Sequence, residues 1–250
     1  MITKEIIKEI LKELRDKRMA TEPYLSEAQF QFELAWVIKQ KFRNAKILLE
    51  YTACIMKSSK VDENGNEKEK TKRFESDIIV FFGNQYQVIE LKYKTAKSTI
   101  KEVQLVPQGG QPGTKYDYLW DIHRIELLKE QPTEYQGNSY KYRLGKKCTG
   151  GYAIFLTNDS SYYGGQEQHD DSAYNFRLQE SKSESENRCI NQNEVLEWKG
   201  EEKDWMSPRP PFSFLRNRQL GNWESFYKYT DESTNKPKNK EFKYLITEIN

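Results

Sequence analysis

Asp77, Glu90 and Lys92 are the residues whose types and spacing could do chemistry. They fall in the stretch S-D-I-I-V-F-F-G-N-Q-Y-Q-V-I-E-L-K-Y-K, from Ser76 to Lys94. It reads as two apolar strands, 78–82 and 86–93, about a turn at Gly83-Asn84, residues that tolerate the positive φ of a two-residue hairpin. With that turn, paired positions sum to 167 and Asp77 lies opposite Glu90. Side chains alternate with period two, so Lys92 follows on the same face as Glu90. Opposed Cβ atoms are about 5 Å apart, close enough for two carboxylates to share a divalent ion. Ile78, Val80, Phe82, Ile89 and Leu91 fall on the other face and read as core.

Charge inside a sheet is costly unless something compensates it. A structural ion pair is one reading, with Lys92 neutralising Glu90 and Asp77 capping its strand. A metal-assisted site is the other, and the apolar surroundings and shared register favour it. Crowded carboxylates repel, so Asp77→Ala or Lys92→Ala is expected to leave the fold intact or steadier.

The elements that must position these residues are legible in outline. Residues 2–18 read as an amphipathic helix, with Ile6, Ile7, Ile10, Leu11 and Leu14 on one face. A second helix starts at Ser26, where Ser26-x-x-Gln29 forms a capping box and Leu25 with Phe30 a hydrophobic staple, and runs to about Phe42. On its wheel Glu33 lies beside Val37 and between Phe30 and Trp36, leaning towards the hairpin's acids; Glu27 is the alternative. Residues 46–56 form a strand, and 57–72 reads as a long charged loop turning at 63–66.

Beyond Lys94, residues 107–113 make a Gly/Pro-rich loop. A helix is predicted over 115–130, with His123 structural, and a buried strand over 151–157. A helix crossing between two strands of one sheet gives a mixed α/β arrangement. Further on, 175–178 is a short strand candidate, 181–193 reads as exposed, and 242–249 as a strand rejoining the sheet. The aromatic run Trp223, Phe226, Tyr227 and Tyr229 either faces DNA or covers the core.

An Asp at the start of one strand and E-x-K on the next resembles the PD-(D/E)xK nuclease superfamily, with Ser76-Asp77 and Glu90-Leu91-Lys92 as the matching residues. Ser76 stands where the motif's name has proline. The order helix, strand, strand, strand, with the acids on the last two strands, is also that of the superfamily. The resemblance implies an α/β fold with a restriction-endonuclease-like core: a central mixed β-sheet flanked by helices, about 26–159, with 160–250 elaborating one domain. It implies Mg²⁺, with Mn²⁺ as a substitute, held by Asp77, Glu90 and the carbonyl of Leu91. Lys92 would orient or activate water and stabilise the transition state, and Glu33 matches the acid many members carry on the helix before the first strand. The substrate implied is nucleic acid, DNA above all, in restriction or phage defence, and cutting both strands would favour a homodimer. A catalytically inactive nuclease fold that binds nucleic acid or serves assembly is the alternative.

Composition sets the bounds. The 250 residues are 31% charged yet balanced at net +2, so any basic surface is local. Cys54, Cys148 and Cys189 are scattered and imply reduced thiols. No apolar run approaches the ~20 residues that span a bilayer. The expectation is a cytoplasmic protein with no membrane partner.

Overall fold

The computed structural model describes residues 1–19, 22–61, 67–164, 171–179, 187–201, 203–233 and 237–250, with the backbone alone at 19, 59–61, 67 and 68. Helix α1 (Lys4–Leu14) is capped by the Thr3 hydroxyl and buries Ile7, Ile10, Leu11 and Leu14; its pattern repeats every three and four residues, as packing on one face requires. Helix α2 (Glu27–Lys41) starts where the Ser26 hydroxyl accepts from Gln29 N at 3.1 Å. The contact expected of Leu25 is made instead by Tyr24, whose ring lies 5.2 Å from Phe30, while Leu25 is exposed.

Strands β1 (Lys46–Val61), β2 (Glu67–Phe82) and β3 (Gln85–Lys94) form an antiparallel meander. A small hairpin, β4 (Ser98–Ile100) and β5 (Val103–Leu105), leads to α3 (Gln111–Glu130). Strands β6 (Glu134–Tyr135) and β7 (Asn138–Tyr142) add to the far edge of β1, and β8 (Lys147–Thr157) returns parallel to β3. After the short pair β9 (Cys189–Ile190) and β10 (Arg218–Gln219), β11 (Trp223–Asp231) and β12 (Lys238–Ile249) complete an eight-stranded mixed sheet, in the order β11-β12-β8-β3-β2-β1-β7-β6. The fold is therefore α/β, and the C-terminal strands belong to the same sheet as the hairpin.

Two apolar layers hold it together. Ile78, Val80, Ile89, Leu91 and Ile154 pack with α1 and α2 through residues such as Ile10, Phe30 and Leu34. Ile79, Phe81, Val88 and Phe155 pack with α3 through Tyr118, Leu119, Ile122 and Ile125. Strand β3 is buried on both faces over most of its length, which explains its near-continuous apolar run.

Several expectations are corrected. The charged segment after residue 56 is not a loop: β1 runs on to Val61 and β2 begins at Glu67. Charged residues tolerate this ladder because opposite signs meet across it, as in Lys57 and Glu69 at 2.9 Å, and because β7 pairs with residues 54–58. The turn placed at 63–66 lies outside the described residues. Helix α3 starts four residues earlier than its apolar pattern suggests, because Gly110 takes φ +82° and Pro112 follows in the first turn. The segment at 175–178 is not a strand; Tyr174–Phe176 forms a 3₁₀ turn. Arg188 and Ile190, expected at the surface, are buried. Of the aromatic run, Trp223, Phe226 and Tyr229 are buried on β11, which selects the core-covering reading for those three. Among the described residues no helix is long and apolar enough to cross a membrane.

Candidate functional site

The β2–β3 ladder runs from Phe82↔Gln85 to Ile78↔Ile89, the register that a two-residue turn dictates. Gly83 has φ +63°, while Asn84 stays out of the positive region, so the glycine alone meets the turn's demand. Past Ile78 the side chains of Asp77 and Glu90 replace ladder bonds. Leu91 N donates to Asp77 Oδ2 at 2.5 Å, and Asp77 N to Glu90 Oε2 at 3.5 Å. The chain also bends here. Glu50, flanked by the pairs Leu49↔Ile78 and Tyr51↔Ser76, takes φ +49°, and the β1–β2 register shifts between Thr52 and Cys54.

Helix α3 brings two residues that the sequence pattern does not single out. Lys92 Nζ lies 2.5 Å from Asp121 Oδ2 and donates to Leu91 O at 3.0 Å. Arg124 Nη2 lies 2.9 Å from Glu90 Oε2 and 2.6 Å from Asp121 Oδ1, while its Nη1 donates to Glu75 O at 3.1 Å. The helix is held at this height by Tyr118, whose hydroxyl lies 3.1 Å from Ala153 O and 3.0 Å from Thr247 Oγ1. Lys92 therefore does not pair with Glu90, as the structural ion-pair reading supposes. Its partner is Asp121, and Glu90 is served by Arg124.

Helix α2 contributes from the other side. Glu27 Oε2 accepts from Tyr93 N at 2.6 Å and feels the charge of Lys92. Gln31, one turn later, donates to Glu50 Oε1 at 2.7 Å and to Asp77 O at 2.8 Å. Glu33 does not join them: its carboxylate meets Arg18 Nε at 3.5 Å. Two residues past Gln31 lie about 200° round a helix, so a face that carries Glu27 and Gln31 inward turns Glu33 away. The helical wheel misleads because one of its apolar markers, Trp36, is 57% exposed and stacks on the similarly exposed Phe32 in solvent, although Phe30 and Val37 are buried. Glu27 occupies the place expected of Glu33.

Four carboxylates, Glu27, Asp77, Glu90 and Asp121, thus face two cations, Lys92 and Arg124. Burial pushes Asp77 up to about 7, with Lys92 opposing and Asp121 adding to the rise. Burial also lifts Glu90 well above the usual carboxylate range, against the pull of Arg124. Lys92 is raised: burial works against its charge, but Asp121, Glu27 and Asp77 outweigh it. Glu90 Oε1 is buried with no hydrogen-bond partner among the described residues.

These donors suit a hard divalent cation, since two carboxylates and the Leu91 carbonyl are all oxygen ligands. The orphaned Glu90 oxygen is the observation that favours one. Among the described residues no three His, Cys, Asp or Glu side chains stand arranged to hold a metal, and Arg124 and backbone amides engage Glu90 Oε2 and Asp77 Oδ2. A groove of about 1050 Å³ opens beyond the carboxyl ends of parallel strands β3 and β8, lined among others by Ala96, Lys101, Asn158, Asp159, Tyr227 and Lys240. Ala96 is four residues past Lys92, about 13 Å of extended chain. The carboxyl end of parallel strands is where open α/β sheets hold ligands.

His123 stands apart, buried between Trp120 and Phe212 with Glu126 alongside, and burial pushes its imidazole down. Cys54 and Cys148 are buried thiols pushed up to about 12 and about 11 by desolvation, which suits core residues rather than nucleophiles. No family model, curated protein or solved structure matches this chain.

Proposed function

We propose that this chain is a metal-dependent nuclease with a restriction-endonuclease-like core, hydrolysing phosphodiester bonds of DNA. The observation that carries the reading is the convergence of Asp77, Glu90 and Lys92 on adjoining strands, in a buried site where carboxylates outnumber cations. The order α2, β1, β2, β3, α3, β8, an antiparallel meander followed by a crossover helix and a parallel strand, supports it.

In this reading Asp77, Glu90 and the carbonyl of Leu91 hold Mg²⁺, or Mn²⁺ in its place. When bound, such an ion polarises the phosphorus and makes water more acidic. Lys92 keeps its proton, because Asp121, Glu27 and Asp77 surround it. Its work is to orient water and to offset negative charge as the phosphorus passes through five-coordination. Glu27, rather than Glu33, is placed to position that water through its proximity to Lys92. The groove beyond β3 and β8 is lined by none of these residues, and a nucleic-acid strand lying in it would have to extend past Ala96 to reach Lys92.

Incubation with plasmid and linear DNA, in Mg²⁺ and in EDTA, tests the proposal. Mg²⁺-dependent cleavage that Glu90→Ala abolishes is the expected result; absence of cleavage in wild type rejects it. The alternative, an inactive nuclease fold that binds nucleic acid, draws on the pairing of both site cations with carboxylates. It predicts DNA binding without cleavage.

A further inference from the structure

We propose that Arg124 is the resident counter-cation of this centre, occupying the position at Glu90 that a divalent ion takes. Entry of the ion transfers the guanidinium from Glu90 to Asp121 alone. The inference rests on the metal-dependent reading of the site and adds a device that controls its loading.

The geometry of the Arg124 contact is that of an exchangeable partner. A committed arginine–carboxylate pair is bidentate, two nitrogens on two oxygens. Here one nitrogen, Nη2, serves both Glu90 Oε2 and Asp121 Oδ1. Arg124 Nε is buried without a hydrogen-bond partner among the described residues, and so is the second oxygen of Glu90. Both groups are thus half satisfied, an expensive state for buried charge.

Loss of the Glu90 contact would not leave Arg124 adrift. Asp121 Oδ1 at 2.6 Å, Glu75 O at 3.1 Å and the Phe74 ring at 6.0 Å all remain. Its side chain is 15% exposed, so the guanidinium is not fully enclosed. Lys92 has no contact with Glu90; it gives up at most its bond to the Leu91 carbonyl and stays anchored on Asp121. With all four carboxyls ionised, Lys92, Arg124 and one divalent ion balance the charge with both side chains still present.

The test uses Mn²⁺ as the probe, on the full chain without nucleic acid. Mn²⁺ dissociation constants from electron paramagnetic resonance and melting temperatures are measured for wild type, Arg124→Gln and Arg124→Lys. Arg124→Gln is expected to melt below wild type in EDTA, to bind Mn²⁺ at least about tenfold more tightly, and to regain wild-type melting once loaded. Arg124→Lys keeps the charge and should gain no more than about threefold in affinity. Should Arg124→Gln fail to fold in EDTA, refolding on addition of Mn²⁺ supports the proposal and failure to refold overturns it. Wild type and Arg124→Gln binding Mn²⁺ equally well overturns the displacement and leaves the metal site standing. If neither binds Mn²⁺, the metal-dependent reading itself falls, and the displacement with it.

Discussion

Lys92 on β3 and Asp121 on α3 meet at 2.5 Å, both nearly buried, and this pair ties the crossover helix to the strand that carries the candidate site. The lysine is therefore structural as well as chemical. The expectation that Lys92→Ala leaves the fold intact or steadier does not follow from crowding among the acids, because removing their cation adds to the repulsion. With Asp121 present, Lys92→Ala leaves a buried carboxylate without its closest cation and is expected to cost about 3–5 kcal/mol. Lys92→Met with Asp121→Asn should recover most of that loss. Thermal melts of the single and double variants check it, and a double variant no better than the single refutes the pairing.

Asp77 carries the opposite sign. Its carboxyl is raised from 3.8 to about 7 by burial, so the folded chain holds the proton more tightly than the unfolded one. Metal-free stability from this group is then intact near pH 4, falls as pH rises towards 7, and is fully lost above it. Asp77→Asn should match wild type at pH 4 and exceed it by on the order of 2–4 kcal/mol at pH 8 in EDTA. Denaturant titrations at the two pH values decide this. A variant less stable at pH 8 shows that Asp77 is ionised and fully compensated in the fold.

On α2 the two glutamates separate cleanly. Glu27→Gln keeps an oxygen to accept from Tyr93 N, so stability should change by less than about 1 kcal/mol, while the charge beside Lys92 is lost. Cleavage should fall at least about tenfold. Glu33→Gln touches the Arg18 pairing and the Tyr24 hydroxyl, away from the hairpin acids, and should leave cleavage within about twofold. Parallel assays on one DNA substrate test both, and the reverse ranking would restore Glu33 to the site.

How far the site can be read from sequence follows from which interactions are local. The Gly83-Asn84 turn dictates a register, so the approach of Asp77 to Glu90 is legible in the chain itself. Helix α2 is legible in extent through Ser26 and Gln29, but not in orientation, because Phe32 and Trp36 are apolar residues left in solvent. Asp121 and Arg124 are hidden for a different reason. At i, i+3 on a helix they read as an ordinary surface ion pair, and only the packing of α3 across β3 and β8 turns that pair inward. A weak signal exists, since both stand one turn apart on the flank of the inward residues Tyr118, Ile122 and Ile125. The long β1–β2 ladder escapes the sequence because lysine and glutamate carry little strand propensity, and cross-strand pairing supplies what propensity lacks.

The closest backbone contact near the site gives the last prediction. Gly151 on β8 lies beside Val88 of β3, and a Cβ built on it would come within 1.9 Å of Val88 O and 2.8 Å of Val88 C. Neither atom can yield, because both belong to the backbone of a strand buried on both faces. Gly151→Ala must therefore force β3 and β8 apart at the point where their register already shifts, between Tyr86 and Val88. Glu90 pairs with Ala153 two residues along the same ladder, so the displacement reaches the candidate site. The expected cost is about 3 kcal/mol or more, the range of strain that packing cannot relax. Gly145→Ala is the control, since nothing lies within 4 Å of its Cβ position. Circular-dichroism melts should show Gly151→Ala many degrees below wild type and Gly145→Ala unchanged. If the two variants melt together, β3 and β8 are not held as closely as this register requires.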